Sequence, residues 1–360
     1  MSIIIFLAIL FILVLVHEFG HFIVAKRAGI RVDEFAFGFP PRLFSIKKGE
    51  TTYSFNALPI GGYVKIYGEN PDDVTHDRKR SFTAQSRLTQ ARVIVAGVVF
   101  NILLAWLLIS STLMIGIPAS SDPEAGYVVQ NARLMVIEVQ KGKPADLAHL
   151  VPGDYITQVS DESVVLPITA PEDLSGFIGT REGKPVTVTY EHRGEQKSVV
   201  INPVSGIVED RAAIGIAMDM VGTYRLPPHK ALYEGVKKTY EYTQMTAVGI
   251  LGFIRDAVVG SADFTQVTGP VGIVRAVDDA AGVGFTNILL FTALISINLA
   301  VINILPFPAL DGGRLLFIII EAVIRRQIPV KVANGLNIVG FALLMLMMVA
   351  VTWHDIVKLS

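Results

Sequence analysis

The sequence predicts a polytopic α-helical membrane protein with four transmembrane helices, a membrane-associated β-hairpin or small sheet after the first helix, and one small extracytoplasmic β-rich domain. Three observations predict it. The 360 residues are 51% hydrophobic and 18% charged, more apolar and less charged than a typical soluble chain. Several regions are long and apolar enough to cross a hydrocarbon core, which takes about 20 helical residues. Between the second and third of them, the pattern reverts to that of a soluble domain.

The first apolar stretch, Ile3–Ala25, has no basic leader and no small-residue cleavage site, so it is expected to stay in the protein. Arg42–Tyr67 then reads as strands: "RLFSI", the turn "KKGE", "TTYSFNALPI", Gly61-Gly62 and "YVKIYG". Phe55, Leu58, Tyr63, Val64 and Ile66 make it too apolar for an aqueous hairpin. A site at the membrane surface or within it, covered by helices, accounts for this, because open sheet edges are not tolerated in lipid. Gly68–Gln90 is a polar linker. The second span is Val93–Ile117, the third region runs from Phe285 to Ile324, and the last span is Val332–Trp353.

Loop charge orients these spans. Lys26 to Arg92 holds 12 Lys or Arg, and Arg325, Arg326 and Lys331 precede the last span. The positive-inside rule puts both loops in the cytoplasm. Both termini and Pro118–Thr286 then lie outside. The segments divide as 1–117, 118–226, 227–284 and 285–360. A net charge of −1 gives no sign of nucleic-acid binding, and the absence of cysteine excludes disulfides and thiolate metal ligands.

In the outer region, "ARLMVIEVQKGKPADLAHLVPGDYITQVSDESV" and "KPVTVTYEHRGEQKSVVINP" carry short strands, a helical turn and alternation around Val186–Tyr190 and Ser198–Ile201. The order of strand, Pro-Ala, short helix, Leu150, Pro152-Gly153-Asp154 and strand resembles a PDZ domain, a module that binds extended peptides by strand addition. A small β-domain without a ligand fits the same pattern. Pro227–Gly260 reads as an amphipathic helix on the outer membrane face, since Arg255 and Asp256 are costly at depth.

His17-Glu18-Phe19-Gly20-His21 is H-E-x-x-H. On a helix, positions i and i+4 share a face, so both imidazoles can reach one zinc ion while Glu18 stands beside it. His17 is 14 residues beyond Ile3, roughly 21 Å along the helix and past the midplane of the core. Ionisable groups at that depth need a metal or a wet cavity. A catalytic zinc uses three protein ligands, so one is missing. The segment Asn303-Ile304-Leu305-Pro306-Phe307-Pro308-Ala309-Leu310-Asp311-Gly312-Gly313 offers Asp311. A helix broken at Pro306 and Pro308 would keep Asp311 at membrane depth beside a cavity. Asp311 also reads as an N-cap for the helix starting near Gly312.

H-E-F-G-H, "GENPD" at Gly68–Asp72, "RSF" at Arg80–Phe82, "AGVVFN" at Ala96–Asn101, one PDZ-like domain, "GPVGI" at Gly269–Ile273 and N-x-x-P-x-P-x-L-D-G-G occur in that order. Together they resemble the site-2 protease family of intramembrane zinc metalloproteases, and within it the bacterial PDZ-containing, regulator of sigma-E protease type. The resemblance implies zinc on His17, His21 and Asp311, with Glu18 as general base. It implies substrate contacts at Asn303 and Asn101, and along the Tyr53–Tyr67 hairpin through Tyr53, Phe55, Gly61, Gly62 and Tyr63. It also implies single-span membrane proteins, such as anti-sigma factors, or remnant signal peptides as substrates, in the bacterial inner membrane. Two features depart from the family pattern. Gly-Pro-x-x-Asn becomes Gly97-Val98-Val99-Phe100-Asn101, and one PDZ-like unit stands in place of a tandem pair.

Two other classes compete. A membrane adaptor binding partners through its PDZ-like domain would keep the fold without cutting. A transporter with a broken helix fits Pro306 and Pro308 but lacks paired repeats. His76, His149, His192, His229 and His354 read as surface or interface residues.

Overall fold

The computed structural model describes residues 2–69, 77–121, 129–192, 194–261, 263 and 267–359. Asn70, Pro71, Asp72 and His76 lie outside the described residues. The chain opens with helix α1 (Ser2–Arg27), strands β1 (Val32–Lys48) and β2 (Thr51–Ile66), and helix α2 (Arg87–Ile115). Strands β3 (Ile117–Ser120) and β4 (Gln130–Val139), helix α3 (Pro144–Leu147), strands β5 (Tyr155–Ser160) and β6 (Val165–Pro167), and helix α4 (Pro171–Gly179) follow. Next come β7 (Val186–His192), β8 (Glu195–Ile201), β9 (Val204–Val208), β10 (Arg211–Ala213) and β11 (Ile216–Tyr224). Helices α5 (Pro228–Val259), α6 (Pro270–Val283), α7 (Phe285–Ile304), α8 (Asp311–Ile324) and α9 (Val330–Leu359) complete the order. Two compact units result. One comprises Met1–Ser111, Leu232–Ala281 and Ile288–Ser360, and the other Thr112–Ala231 and Gly282–Asn287.

Among the described residues, four helices are long and apolar enough to cross a membrane: α1, α2, α7 and α9. These are the four expected spans. The long third region is split between α7 and α8, with non-helical backbone from Leu305 to Leu310. Pro306 and Pro308 cannot donate to an intrahelical bond, so the ladder stops there. Helix α5, although 32 residues long, is not among the four.

The β-region begins at Val32, ten residues before the expected start at Arg42. The period-2 aromatics Phe35, Phe37 and Phe39 are the strand signal there. Both strands are bent, and each contributes two segments to one small sheet. Arg42–Lys48 lies opposite Asn56–Thr51 as a hairpin. On the far side of the latter segment, Glu34, Phe35, Ala36 and Phe37 stand opposite Thr52, Tyr53, Ser54 and Phe55. The same four residues also face Lys65, Val64, Tyr63 and Gly62. The segment order is therefore 42–48, 51–56, 34–37 and 62–65. Gly38 (φ +76°) makes the bend in β1, where a Cβ would stand 2.6 Å from the Leu58 carbonyl oxygen.

Helix α1 lies on this sheet through Phe22 against Phe35 and Tyr53, and Phe11 against Phe37. Ala25, Ile30, Val32, Ile66, Val93 and Ile318 bury a shared core from α1, the sheet, α2 and α8. Asp355 of α9, 7% exposed, accepts the Gly272 N–H at 2.8 Å in the first turn of α6. A Cβ on Gly269 would lie 2.7 Å from Asp355 Oδ2, which gives the Gly269–Ile273 motif a packing role. Asp355→Ala is expected to cost about 1–2 kcal/mol as a lost cap. Thermal unfolding in detergent measures this, and an unchanged midpoint would rule the cap out as a stabilising contact.

In the second unit the sheet order is β3-β11-β4-β5-β7-β8, with β6 on β5. Leu134, Val136, Ile156, Val159, Val186 and Val188 pack against Leu174, Phe177 and Ile178 of α4. Strand β11 pairs with β4 from Ile216 and with β3 from Val221. The other edge of β11 at Ile216–Met220 carries no strand among the described residues. Ile214, Ile216 and Met218 line a groove there with Leu174, Ser175 and Ile178.

Candidate metal centre

His17 and His21 lie one turn apart on α1, each 7% exposed. Both rings face Gly97 of α2. The helices approach closely because the contact is made of glycine: a Cβ on Gly20 would stand 2.6 Å from the Ala96 carbonyl oxygen. A Cβ on Gly97 would press on His21 Nε2 and lie 2.7 and 2.8 Å from His17 Cε1 and Nε2. Gly97 is thus the floor on which both rings rest. Gly97 stands inside "AGVVFN", where nothing local in the sequence marks a helical glycine as a ligand support.

Asp311 arrives from the broken helix. It is the first residue of α8, preceded by Leu310 in extended conformation without a side-chain cap bond. Asp311 is therefore not the N-cap, and its carboxylate is turned to the histidines instead. Asp311 Oδ2 lies 3.0 Å from His17 Nε2 and 3.2 Å from His21 Nε2. The turn bearing it is packed tightly on both sides. Gly312 and Gly313 abut the carbonyls of Ile304, Leu305 and Phe307, where a Cβ would clash. From α9, Asn337 Oδ1 accepts the Ala309 N–H at 3.2 Å, and Gly340 admits Pro308. Ala309 holds φ +76°, a strained value for a residue with a side chain.

The three ligand atoms lie within 4.8 Å of one another, the only such group of His, Asp or Glu among the described residues. His17 Nε2 and His21 Nε2 are 3.2 Å apart. Atoms bound tetrahedrally at about 2.0–2.1 Å stand about 3.3 Å from one another. The observed triangle fits zinc within a few tenths of an ångström. Two imidazoles and one carboxylate are also a donor set zinc accepts in catalytic sites. His21 Nδ1 donates to the Val93 carbonyl oxygen at 2.8 Å, which leaves Nε2 with its lone pair toward the triangle.

Glu18 lies on the sheet side of α1. A Cβ on Gly62 would stand 3.2 Å from Val14 Cγ1 and 3.5 Å from Glu18 Cγ. Gly62 and Tyr63 belong to the outer segment of the sheet, whose far edge carries no paired strand among the described residues. Tyr53 and Phe55, by contrast, lie on an inner segment paired on both sides. They present no free strand edge. Gly61 (φ +108°) faces the Phe39 ring.

Asn101 of α2 stands against His17. It is 0% exposed, and its Nδ2 lies 3.2 Å from His17 Nδ1. Its Oδ1 is buried with no partner among the described residues, a situation that costs about 1–3 kcal/mol. Asn303 occupies the last turn of α7, half-buried, outside the ligand triangle.

Known proteins bear on this geometry. A zinc metalloprotease RasP from Oceanobacillus iheyensis is 30% identical over 439 residues, covering 99% of each chain. The regulator of sigma-W protease RasP of Bacillus subtilis is 29% identical over 437 residues, again 99% of each. The PDZ domain of an SdrC-like protein from Listeria innocua, at 22% identity and TM-score 0.21, covers 24% of this chain and 92% of its own. The sequence matches peptidase family M50 over residues 5–347, a span that contains every ligand of the triangle and Glu18. On that match the chain belongs to peptidase family M50, and it is a zinc metalloprotease.

Proposed function

We propose that this chain cleaves membrane-spanning substrates within the bilayer, with zinc held by His17, His21 and Asp311 and with Glu18 as the general base. The observation that carries the reading is the triangle itself: three ligand atoms within 4.8 Å, brought from α1 and the helix break. Zinc, when bound, supplies a Lewis acid that acidifies water and polarises the scissile carbonyl. Glu18 takes the proton from the attacking water and delivers it to the nitrogen of the leaving amine. His21 is fixed in orientation by the Val93 carbonyl, and Gly97 sets the depth of both rings.

A helical substrate hides its carbonyls, so it must be extended before it is cut. The outer segment Gly62–Ile66 is the edge best suited to hold it, since Gly62 brings that strand against Glu18. Substrate pairs there rather than along Tyr53–Phe55. The relative from Bacillus subtilis is named as a regulator of sigma-W protease, which supports single-span anti-sigma factors or remnant signal peptides as the substrate class. The basic loops favour a cytoplasmic placement for Lys26–Arg92, with the PDZ-like unit and both termini outside a bacterial inner membrane. The groove between α4 and the free edge of β11 suits an extended peptide from the outer part of a substrate.

The test is metal removal. Stripping the purified chain with a chelator is expected to abolish cleavage of a single-span substrate in detergent, and stoichiometric zinc is expected to restore it. Cleavage that survives in zinc-free protein would refute the reading.

A further inference from the structure

An imidazole ligates a metal only through a nitrogen that carries no proton, so each histidine of the triangle needs its other nitrogen protonated and paired with an acceptor. For His21 the acceptor is the backbone carbonyl of Val93, which cannot donate and so leaves no choice. For His17 the facing group is the amide of Asn101, which has a donor end and an acceptor end of nearly the same shape.

With Nδ2 toward His17 Nδ1, the ring proton must sit on Nε2. From there it is donated to Asp311 Oδ2, 3.0 Å away. That arrangement pairs His17 with Asp311 without metal, and it leaves Asn101 Oδ1 buried and unpartnered. Turning the amide by half a rotation brings that oxygen to His17 Nδ1, which then holds the proton and frees Nε2 toward the triangle. The position of the residue is fixed independently, because Ser296 Oγ of α7 donates to the Asn101 carbonyl at 2.8 Å. Resting on the zinc reading above, we propose that Asn101 is a positioning residue for the metal, whose amide oxygen holds the proton on His17 Nδ1 when zinc binds. Its one side chain can face His17 Nδ1 with a donor or with an acceptor.

The experiment compares zinc dissociation constants of the purified full chain in detergent, by competition with a chromophoric chelator, for wild type, N101L and N101D. Leucine matches the size of asparagine but accepts no hydrogen bond, and a loss of roughly 10–100-fold in affinity is expected. Aspartate accepts at either end, so N101D is expected to stay within about threefold of wild type. Spectra of ¹⁵N-histidine-labelled wild type should place the His17 proton on Nδ1 in the zinc-loaded chain, a signature that does not depend on any variant folding. N101L with wild-type affinity, N101D weakened as far as N101L, or zinc-loaded His17 ligating through Nδ1 would each overturn the proposal. H17A separates the two levels. Zinc binding that is indifferent to H17A would defeat the metal-site reading itself, whereas binding lost in H17A and intact in N101L would defeat only the role of Asn101.

Discussion

Gly97→Ala is expected to take the purified chain from about one zinc per molecule to almost none, and to abolish cleavage with it. In an ordinary helix this substitution is favourable by about 1 kcal/mol. Here the added methyl group would lie 2.7 and 2.8 Å from His17 Cε1 and Nε2, and would press on His21 Nε2. The helices already meet at Gly20, and α2 is held there by Val93 and Ile94 in the core it shares with α1, the sheet and α8. The rings must move, and the ligand atoms, now 3.2 Å apart, would lose their common centre. Zinc content by atomic absorption and the thermal midpoint distinguish this from general misfolding. A variant that folds, holds zinc and cleaves would show that the rings tolerate the methyl group.

Glu18→Gln is expected to lower the cleavage rate by about 10²–10⁴-fold while leaving the zinc content unchanged. Glutamine has the same size and can still hydrogen-bond a water, but it cannot accept the proton. Glu18 is also outside the ligand triangle, on the adjoining face of α1 beside Gly62. Metal retention and loss of rate should therefore separate cleanly. If E18Q lost zinc in step with activity, Glu18 would be a structural support of the site rather than its base. If E18Q cut at the wild-type rate, another group would carry the proton.

The contrast between the two residues explains how much of the site could be read from sequence. His17 and His21 were legible because helical spacing alone puts them on one face, and their depth in an apolar run demands a partner. Asp311 was legible because two prolines break a lipid-length segment just before it. The four spans followed from composition. Gly97 was not legible, since its role is a distance to another helix and a glycine in an apolar run has many possible uses. Asn101 stands out in the sequence, but its place against His17 was not legible there. Sequence order gives no indication of this contact, which its burial and its bond to Nδ1 show. The pairing of the sheet was not legible either. Tyr53 and Phe55 belong to an apolar strand as expected, but Val32–Phe37 covers one side of it and Arg42–Lys48 the other. The free edge beside Glu18 falls to Gly62 and Tyr63, because a small residue is required where the strand meets α1.

The most direct measurement is zinc stoichiometry, made together with a cleavage assay on the same purified full-length samples of wild type, His17→Ala, His21→Ala and Asp311→Ala. About one zinc per wild-type chain is expected, with zinc and cleavage lost together in all three variants. An Asp311→Ala chain that holds zinc as firmly as wild type, or any of the four that cleaves without zinc, would contradict the assignment.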